Sequence, residues 1–389
     1  MPVNNRIADF HDEITAWRRH IHENPGLLYD VEHTAAFVAE KLRAFGCHEV
    51  VEQIGRTGVV GVIHGKSDTA GRVIGMRADM DALPIQEKRD LPHKSKVEGK
   101  MHACGHDGHT AMLLGAAKYL AETRNFDGKA VVIFQPAEEG GAGGKAMVDD
   151  KMMERFGIDE VYGLHNMPGL PVGEFAIRPG GIMAGTDEFT ITVGGLGAHA
   201  AMPHMGNDPI IIVTQMVQAL QTIASRNVDP LQNAVVTVTG VQAGKAYNVI
   251  PQEAKFWGTI RCLDPEVRAL VHRRMKEICD GIASAYGATL TFNIKDGYPV
   301  TFNHAAQTDF AASVAADISG EARVDPNTVP VMGGEDFSYM LLERPGAFIF
   351  MGNGDTAGLH HEEYDFNDEA IPVGASYWAK LAETAMPAA

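Results

Sequence analysis

Ala130-Val131-Val132-Ile133-Phe134 is a continuous apolar run closed by Gln135-Pro136. It has no polar face, so it predicts a strand covered on both sides. Gly58 to His64, Arg72 to Met76, Val161 to Leu164 and Ala347 to Met351 read as further strands. Helical signals lie between them. One helix is predicted from Asp12 to His22, stopped by Asn24-Pro25-Gly26. A second carries Ala35, Phe37, Val38 and Leu42 at helical spacing and ends at Gly46, and a third carries Met112, Leu113, Ala116 and Leu120 on one face. Strands alternating with helices predict an α/β fold: a mostly parallel sheet with helices on both faces.

The texture changes between Thr186 and Ile294. Phe189 to Val193 is strand-like, Pro209 to Ser225 helical, and Ala234 to Thr239 and Glu253 to Arg261 strand-like. Pro265 to Ala285 is helical and Thr289 to Ile294 strand-like. That βαββαβ order predicts a small ferredoxin-like α+β domain inserted into the first. The expected boundaries are 1–184 with 299–389 for the main domain and 185–298 for the insert, with Gly180-Gly181 and Gly297 as flanking hinges. A chain of 389 residues exceeds what one core usually holds, which agrees with two domains.

The formal net charge of −17 argues against nucleic acid or an anionic membrane as partner, and it requires a locally positive site if the substrate is an anion. No apolar run reaches the roughly 18 residues of a membrane span. The opening Met1-Pro2-Val3-Asn4-Asn5-Arg6 lacks the apolar core of a signal peptide. Cys47, Cys104, Cys262 and Cys279 are too irregularly spaced for a disulfide framework, so a reducing, cytoplasmic setting is expected.

The chemistry concentrates in Met101-His102-Ala103-Cys104-Gly105-His106-Asp107-Gly108-His109. A thiol, three imidazoles and a carboxylate in nine residues are a donor set for borderline-soft divalent metals. Asp79 and Asp81, Glu138 and Glu139, His165 and the His360 loop each follow an apolar run. In open α/β sheets ligands bind beyond the carboxyl ends of the strands, so these residues are expected to share one site. Taken singly, Glu138-Glu139 is a solvated acidic turn, His165 an ordinary histidine, His360-His361 a surface loop and Asp81 a turn cap. Their common placement favours a metal site, where one glutamate binds the ion and its neighbour serves as general base.

With these residues in view, the chain resembles the metal-dependent amidohydrolases of the aminoacylase, hippurate hydrolase and auxin-conjugate hydrolase group, within the co-catalytic dinuclear metallopeptidase superfamily. The matching motifs are Arg77-Ala-Asp-Met-Asp-Ala-Leu-Pro84, His102-Ala-Cys-Gly-His-Asp-Gly-His109, Gln135-Pro-Ala-Glu-Glu-Gly140 and Gly163-Leu-His165. They continue with Gly197-Ala-His-Ala-Ala-Met-Pro-His204, Asn248-Val-Ile-Pro251, Gly258-Thr-Ile-Arg261, Gly333-Gly-Glu-Asp-Phe-Ser338, Leu359-His360 and Asp365-Phe-Asn-Asp368. The resemblance implies two divalent ions per subunit (Mn, Zn, Co or Ni) on Cys104, His106, Glu139, His165 and His360. It implies Glu138 as general base and Asp81 as the group that orients the ligands. It assigns His199 to the active site of a partner subunit, and Asn248, Arg261, Gly333 and Gly334 to substrate contacts. The inserted domain then serves as lid and dimerisation surface of a homodimer or dimer-based oligomer. Glu362 stands where the group often has proline; His360 is preferred to His361 by its place after Leu359.

The activity so implied is hydrolysis of an N-acetyl- or N-benzoyl-type N-acyl amino acid to a carboxylic acid and a free amino acid. The rival readings are a dipeptidase or carboxypeptidase using the same site and, more remotely, a metal-binding or redox protein without hydrolysis. Cys104 has no second cysteine nearby, which disfavours disulfide exchange. Cys47, Cys262 and Cys279 read as inert, Ile210 to Val213 as helix core, and His20 and His22 as surface residues of the first helix, for which the resemblance leaves open a structural role near the site. His102, Asp107 and His109 read as supporting groups behind the ligands.

Overall fold

The computed structural model describes residues 3–388, so Met1 and Pro2 of the opening segment lie outside the described residues. The chain divides into two compact units, one of Met1–Gly180, Phe302–Val329 and Asp336–Ala389, the other of Gly181–Thr301 and Pro330–Glu335. The short segment 330–335 therefore groups with the second unit although it lies far outside 185–298 in sequence.

The first unit is built on an eight-stranded sheet. Its strands run, edge to edge, Glu49–Ile54, Gly58–His64, Lys129–Gln135, Val73–Asp79, Glu160–Pro168, Gly346–Gly354, Phe175–Ala176 and Val324–Asp325. The four central strands, Lys129–Gln135 through Gly346–Gly354, pair in parallel, and antiparallel pairs flank them. The apolar run at 130–134 is wholly buried. Ala130, Val132 and Phe134 join the large core formed with helices His11–Glu23, Glu32–Ala44, His106–Thr123 and Ile371–Ala385. Val131 and Ile133, pointing the other way, are equally inaccessible, as both-face coverage requires. The sheet is thus mostly parallel, as expected.

Several elements exceed the sequence reading, among them one strand and two long helices. Glu49–Ile54 is an edge strand whose polar, mostly accessible side chains hide its period. Ala305–Ser319 is an alanine-rich helix without a sharp apolar stripe in the sequence, and Ile371–Ala385 is a largely buried helix that lies outside the sequence reading. The strand predicted over Arg72 to Met76 runs from Val73 to Asp79, and that of Val161 to Leu164 continues through His165 to Pro168.

The second unit contains strand Gly185–Gly194, helix Pro209–Thr222, strands Ala234–Ala243 and Glu253–Cys262, helix Pro265–Tyr286 and strand Thr289–Asp296. All its main pairings are antiparallel. Numbered along the chain, its strands lie in the order 2-3-1-4, the arrangement of the expected ferredoxin-like α+β fold. Its core joins Ile212, Val213, Met216 and Leu220 to Phe189, Ile191 and Phe256, so the 210–213 run does serve partly as helix core. Among the described residues, no helix is long and apolar enough to cross a membrane.

Candidate metal centre

The carboxyl ends of four neighbouring strands of the first unit deliver the reactive side chains. Val73–Asp79 leads to Asp81, Lys129–Gln135 to Glu138 and Glu139, and Gly346–Gly354 to the His360 loop, while His165 lies within Glu160–Pro168. Cys104 and His106 come from the turn that opens helix His106–Thr123. That turn depends on Gly105, whose φ of +89° is left-handed, and where a Cβ would lie 2.3 Å from Asn166 Nδ2 and 2.4 Å from the Tyr364 hydroxyl.

The donor atoms fall into overlapping groups. Those of Cys104, His106 and His165 lie within 4.8 Å of one another, as do those of Cys104, Glu139 and His360, and of His106, Glu138 and Glu139. Cys104 Sγ stands 3.4 Å from His165 Nε2, and His360 Nε2 stands 3.2 Å from Glu139 Oε1. His361 instead accepts the Glu363 N–H through Nδ1 at 3.1 Å. Glu362, at the position that departs from the family pattern, pairs with Lys88.

Asp81 is buried and wholly engaged. Its two oxygens accept the backbone N–H groups of Glu138 (2.9 Å) and Glu139 (3.1 Å), and its carbonyl accepts His106 Nδ1–H (2.8 Å). A carbonyl only accepts, so the His106 proton sits on Nδ1 and the Nε2 lone pair is left to bind. The same logic holds for His165, whose Nδ1–H donates to its neighbour's Asn166 carbonyl at 2.7 Å and whose Nε2 turns to Cys104. His106 Nε2 is buried and makes no hydrogen bond, and Glu139 Oε1 is buried with only the other donor side chains, His360 and Cys104, as polar company. Buried polar atoms of this kind are costly unless they bind something, and thiol, imidazole and carboxylate together suit a borderline divalent cation. The residues therefore fit a metal pair.

The electrostatics agree. Burial, reinforced by Glu139, Glu138 and Asp79, pushes the Cys104 thiol far above its ordinary pKa; only a strong local positive charge would make it a thiolate. Burial together with His109 holds His165 well below the usual histidine value, in its neutral, metal-binding form. His106 behaves oppositely: burial opposes its charge, but Asp79, Asp81 and Glu139 carry it up to about 10. Three carboxylates around one imidazole mark a site short of positive charge.

Behind the donors lies a supporting layer. Asp79 accepts from Arg77 Nη1 at 2.8 Å and from His109 Nδ1 at 2.6 Å. His109 Nε2 accepts the Asn166 backbone N–H (2.9 Å); the Asn166 side chain donates to the Cys104 carbonyl and accepts from the Tyr364 hydroxyl. Asp107 meets His22 at 2.8 Å and Arg18 at 3.4 Å. Residue type alone puts His22 at the surface, while the resemblance leaves open a structural role near the site; His22 is fully buried. The signal was present in its helix, where Ile14, Trp17, Arg18, Ile21 and His22 recur at three- and four-residue spacing and form one buried face.

The substrate-contact candidates belong to the second unit. His199 is exposed, pairs with Val249 across a two-residue antiparallel bridge, and accepts the Ala201 N–H through Nδ1 at 3.1 Å. Asn248, beside that bridge, is exposed, and its carbonyl accepts the Ala200 N–H. Arg261 Nη1 donates to the Ile260 carbonyl (2.9 Å) and to the Thr259 hydroxyl. The Gly333 carbonyl accepts the Ala184 N–H, and Gly334 lies against the Thr186 side chain.

A mostly parallel sheet with thiol, imidazole and carboxylate donors gathered at its carboxyl edge, and an antiparallel α+β insert, define an α/β metallohydrolase. The chain belongs to peptidase family M20/M25/M40, whose family model matches residues 75–384. It is 46% identical over 376 residues to the hippurate hydrolase of Campylobacter jejuni, covering 97% of each chain. It is 39% identical to an N-acetylcysteine deacetylase of Bacillus subtilis, covering 96% of this chain and 97% of that one. A solved Bacillus subtilis structure, a dinuclear metal binding peptidase from the M20 family, superposes with a TM-score of 0.86 at 35% identity, covering 98% of this chain and 100% of that one.

Proposed function

We propose that this chain is a metal-dependent amidohydrolase that cleaves the amide bond of N-acyl amino acids of the N-acetyl or N-benzoyl type, releasing a carboxylic acid and a free amino acid. The reading rests on one observation above all: Cys104, His106, Glu139, His165 and His360 converge on one sheet edge with Glu138 beside them. The hippurate hydrolase and N-acetylcysteine deacetylase relatives support the substrate class.

In this reading Cys104, His106, Glu139, His165 and His360 would hold two divalent ions. When bound, such ions lower the pKa of water and polarise a carbonyl. The chain's own residues do the rest. Asp81 fixes the backbone of both glutamates and, through its carbonyl, the His106 ring, so the bases keep their places while charge moves. Glu138 takes a proton from the attacking water and returns it to the leaving amine nitrogen, one carboxylate serving both half-reactions. His199, offered by the insert of a partner subunit in a homodimer, donates to the developing oxyanion. Arg261, with Asn248 and the Gly333-Gly334 backbone, holds the substrate's carboxylate and amide, supplying local positive charge to a chain of net −17.

The test is a substrate panel. Metal-loaded protein is incubated with acetyl-, benzoyl- and aminoacyl-amino acids, and the released amino acid is measured. Turnover of the acyl compounds is expected; turnover of the dipeptides alone would replace this reading with a dipeptidase. Activity that survives exhaustive chelation would remove the metals from it.

A further inference from the structure

Helix His11–Glu23 supplies none of the donors at the metal centre, yet two of its buried residues, one helical turn apart, reach the segments that do. Arg18 is fully buried. Its Nη1 lies 3.4 Å from Asp107 Oδ2 and 3.1 Å from Asp365 Oδ1, and its Nε donates to Asp368 Oδ1 at 2.8 Å. Asp107 follows His106 directly, in the first turn of the helix that His106 opens. Asp365 follows Tyr364, and lies five residues beyond His360. One guanidinium therefore ties the segment of Cys104 and His106 to the segment of His360. His22 adds a second strut, its Nδ1 at 2.8 Å from the same Asp107 Oδ2 and its Nε2 at 3.4 Å from Glu87 Oε2.

We infer that Arg18 and His22 form a clamp that sets the spacing between the two ligand-bearing loops, and so act as positioning residues for the metal pair. A planar guanidinium suits this task because its fixed fork holds several carboxylates at defined angles, which a lysine ammonium does not. Burial removes competing water, so the geometry is enforced and not merely sampled. Outer partners of metal ligands typically govern about 10–100-fold in metal affinity. The clamp rests on the dinuclear reading proposed above; Arg18 faces Asp107, Asp365, Asp368 and His93, while His22 faces Asp107, Glu87 and the rings of His93 and His102.

The test measures manganese(II) binding by calorimetry on chelator-stripped full-length protein, beside its melting temperature. Wild type is expected to bind two ions. Arg18→Lys and His22→Gln are expected to remain folded and bind them at least about tenfold more weakly. Arg19→Ala, which removes an exposed partner of Asp368 on the same helix, is expected to bind like wild type. His22→Gln combined with Asp107→Asn is expected to lose less than the product of the two single losses, since the two substitutions share the His22–Asp107 contact. Unchanged affinity in Arg18→Lys and His22→Gln, whatever their melting temperatures, overturns the clamp, as does an equal loss in Arg19→Ala or a multiplied loss in the double variant. Fewer than two ions on the wild type overturns the dinuclear reading itself, and the clamp with it.

Discussion

The two units handle their reactive residues in opposite ways. In the first, Cys104, His106, Glu138 and His165 are each less than a tenth exposed, and the surrounding hydrogen bonds hold their orientation. In the second, His199 stands in solvent on a two-residue bridge with exposed Asn248 beside it, and Arg261 turns back on its own strand. The contrast separates two tasks. Groups that hold charge at close range need a rigid low-dielectric setting, because each ångström of drift is costly there. Groups that meet a substrate must be reachable before it arrives.

This contrast predicts effects of graded size. Removing the metals should abolish turnover and lower the melting temperature of the first unit, while calorimetry finds the transition of the second unchanged, because ligand stabilises only the unit that binds it. A drop in both transitions would break the distinction. Glu138→Ala should cost about 10²–10⁴ in kcat with two ions still bound, read by elemental analysis beside the assay. Metal loss in that variant would move Glu138 from base to ligand. His199→Ala should cost about 10²–10³ in kcat/KM with no change in melting temperature, since an exposed side chain with one local hydrogen bond contributes little to packing. Full activity in His199→Ala would leave the insert without a chemical role.

Legibility in the sequence followed the same division. The continuous run at 130–134 and the βαββαβ order fixed the sheet type and the insert because burial on both faces and element order leave direct traces in residue pattern. The candidate donors could be picked out because metal-binding side chains are few and Glu138, Glu139 and His360 follow strands, although Cys104 and His106 belong to the turn that opens a helix and His165 lies within a strand. What stayed hidden was the layer behind them. Arg18 and His22 are polar residues at core positions, and polarity alone reads as surface; only the spacing of 14, 17, 18, 21 and 22 reveals the buried face on which they meet Asp107, itself read from the sequence as a supporting group. Likewise Asp365 acquires its role only when Arg18 reaches it across hundreds of residues. Segment 330–335 joins the second unit through backbone placement such as the bridge between Met183 and Val331, which no local pattern announces.

The smallest expected effect concerns the second unit's own stability. Asp187 is buried, accepts from Arg268 Nε at 2.9 Å and His272 Nε2 at 2.7 Å, and takes the Gly297 N–H at 3.1 Å. Burial works to raise its pKa, but Arg268 and His272 outweigh it and hold the carboxyl well below the usual aspartate range. A group whose folded pKa is depressed gives stability that is complete above its unfolded value of about 3.9 and is lost as pH falls from there towards the folded value. The transition of the second unit should therefore weaken on acidification below about pH 4. Asp187→Asn should flatten that dependence while lowering stability at neutral pH, because Arg268 and His272 lose their buried carboxylate and keep the exposed Asp296 as acidic neighbour. Calorimetry between pH 3 and 7 reads both effects. An acid slope unchanged in Asp187→Asn would show that other carboxylates govern this unit. A slope that appeared in the first unit's transition instead would reverse the assignment of the ion pair to the insert's private framework.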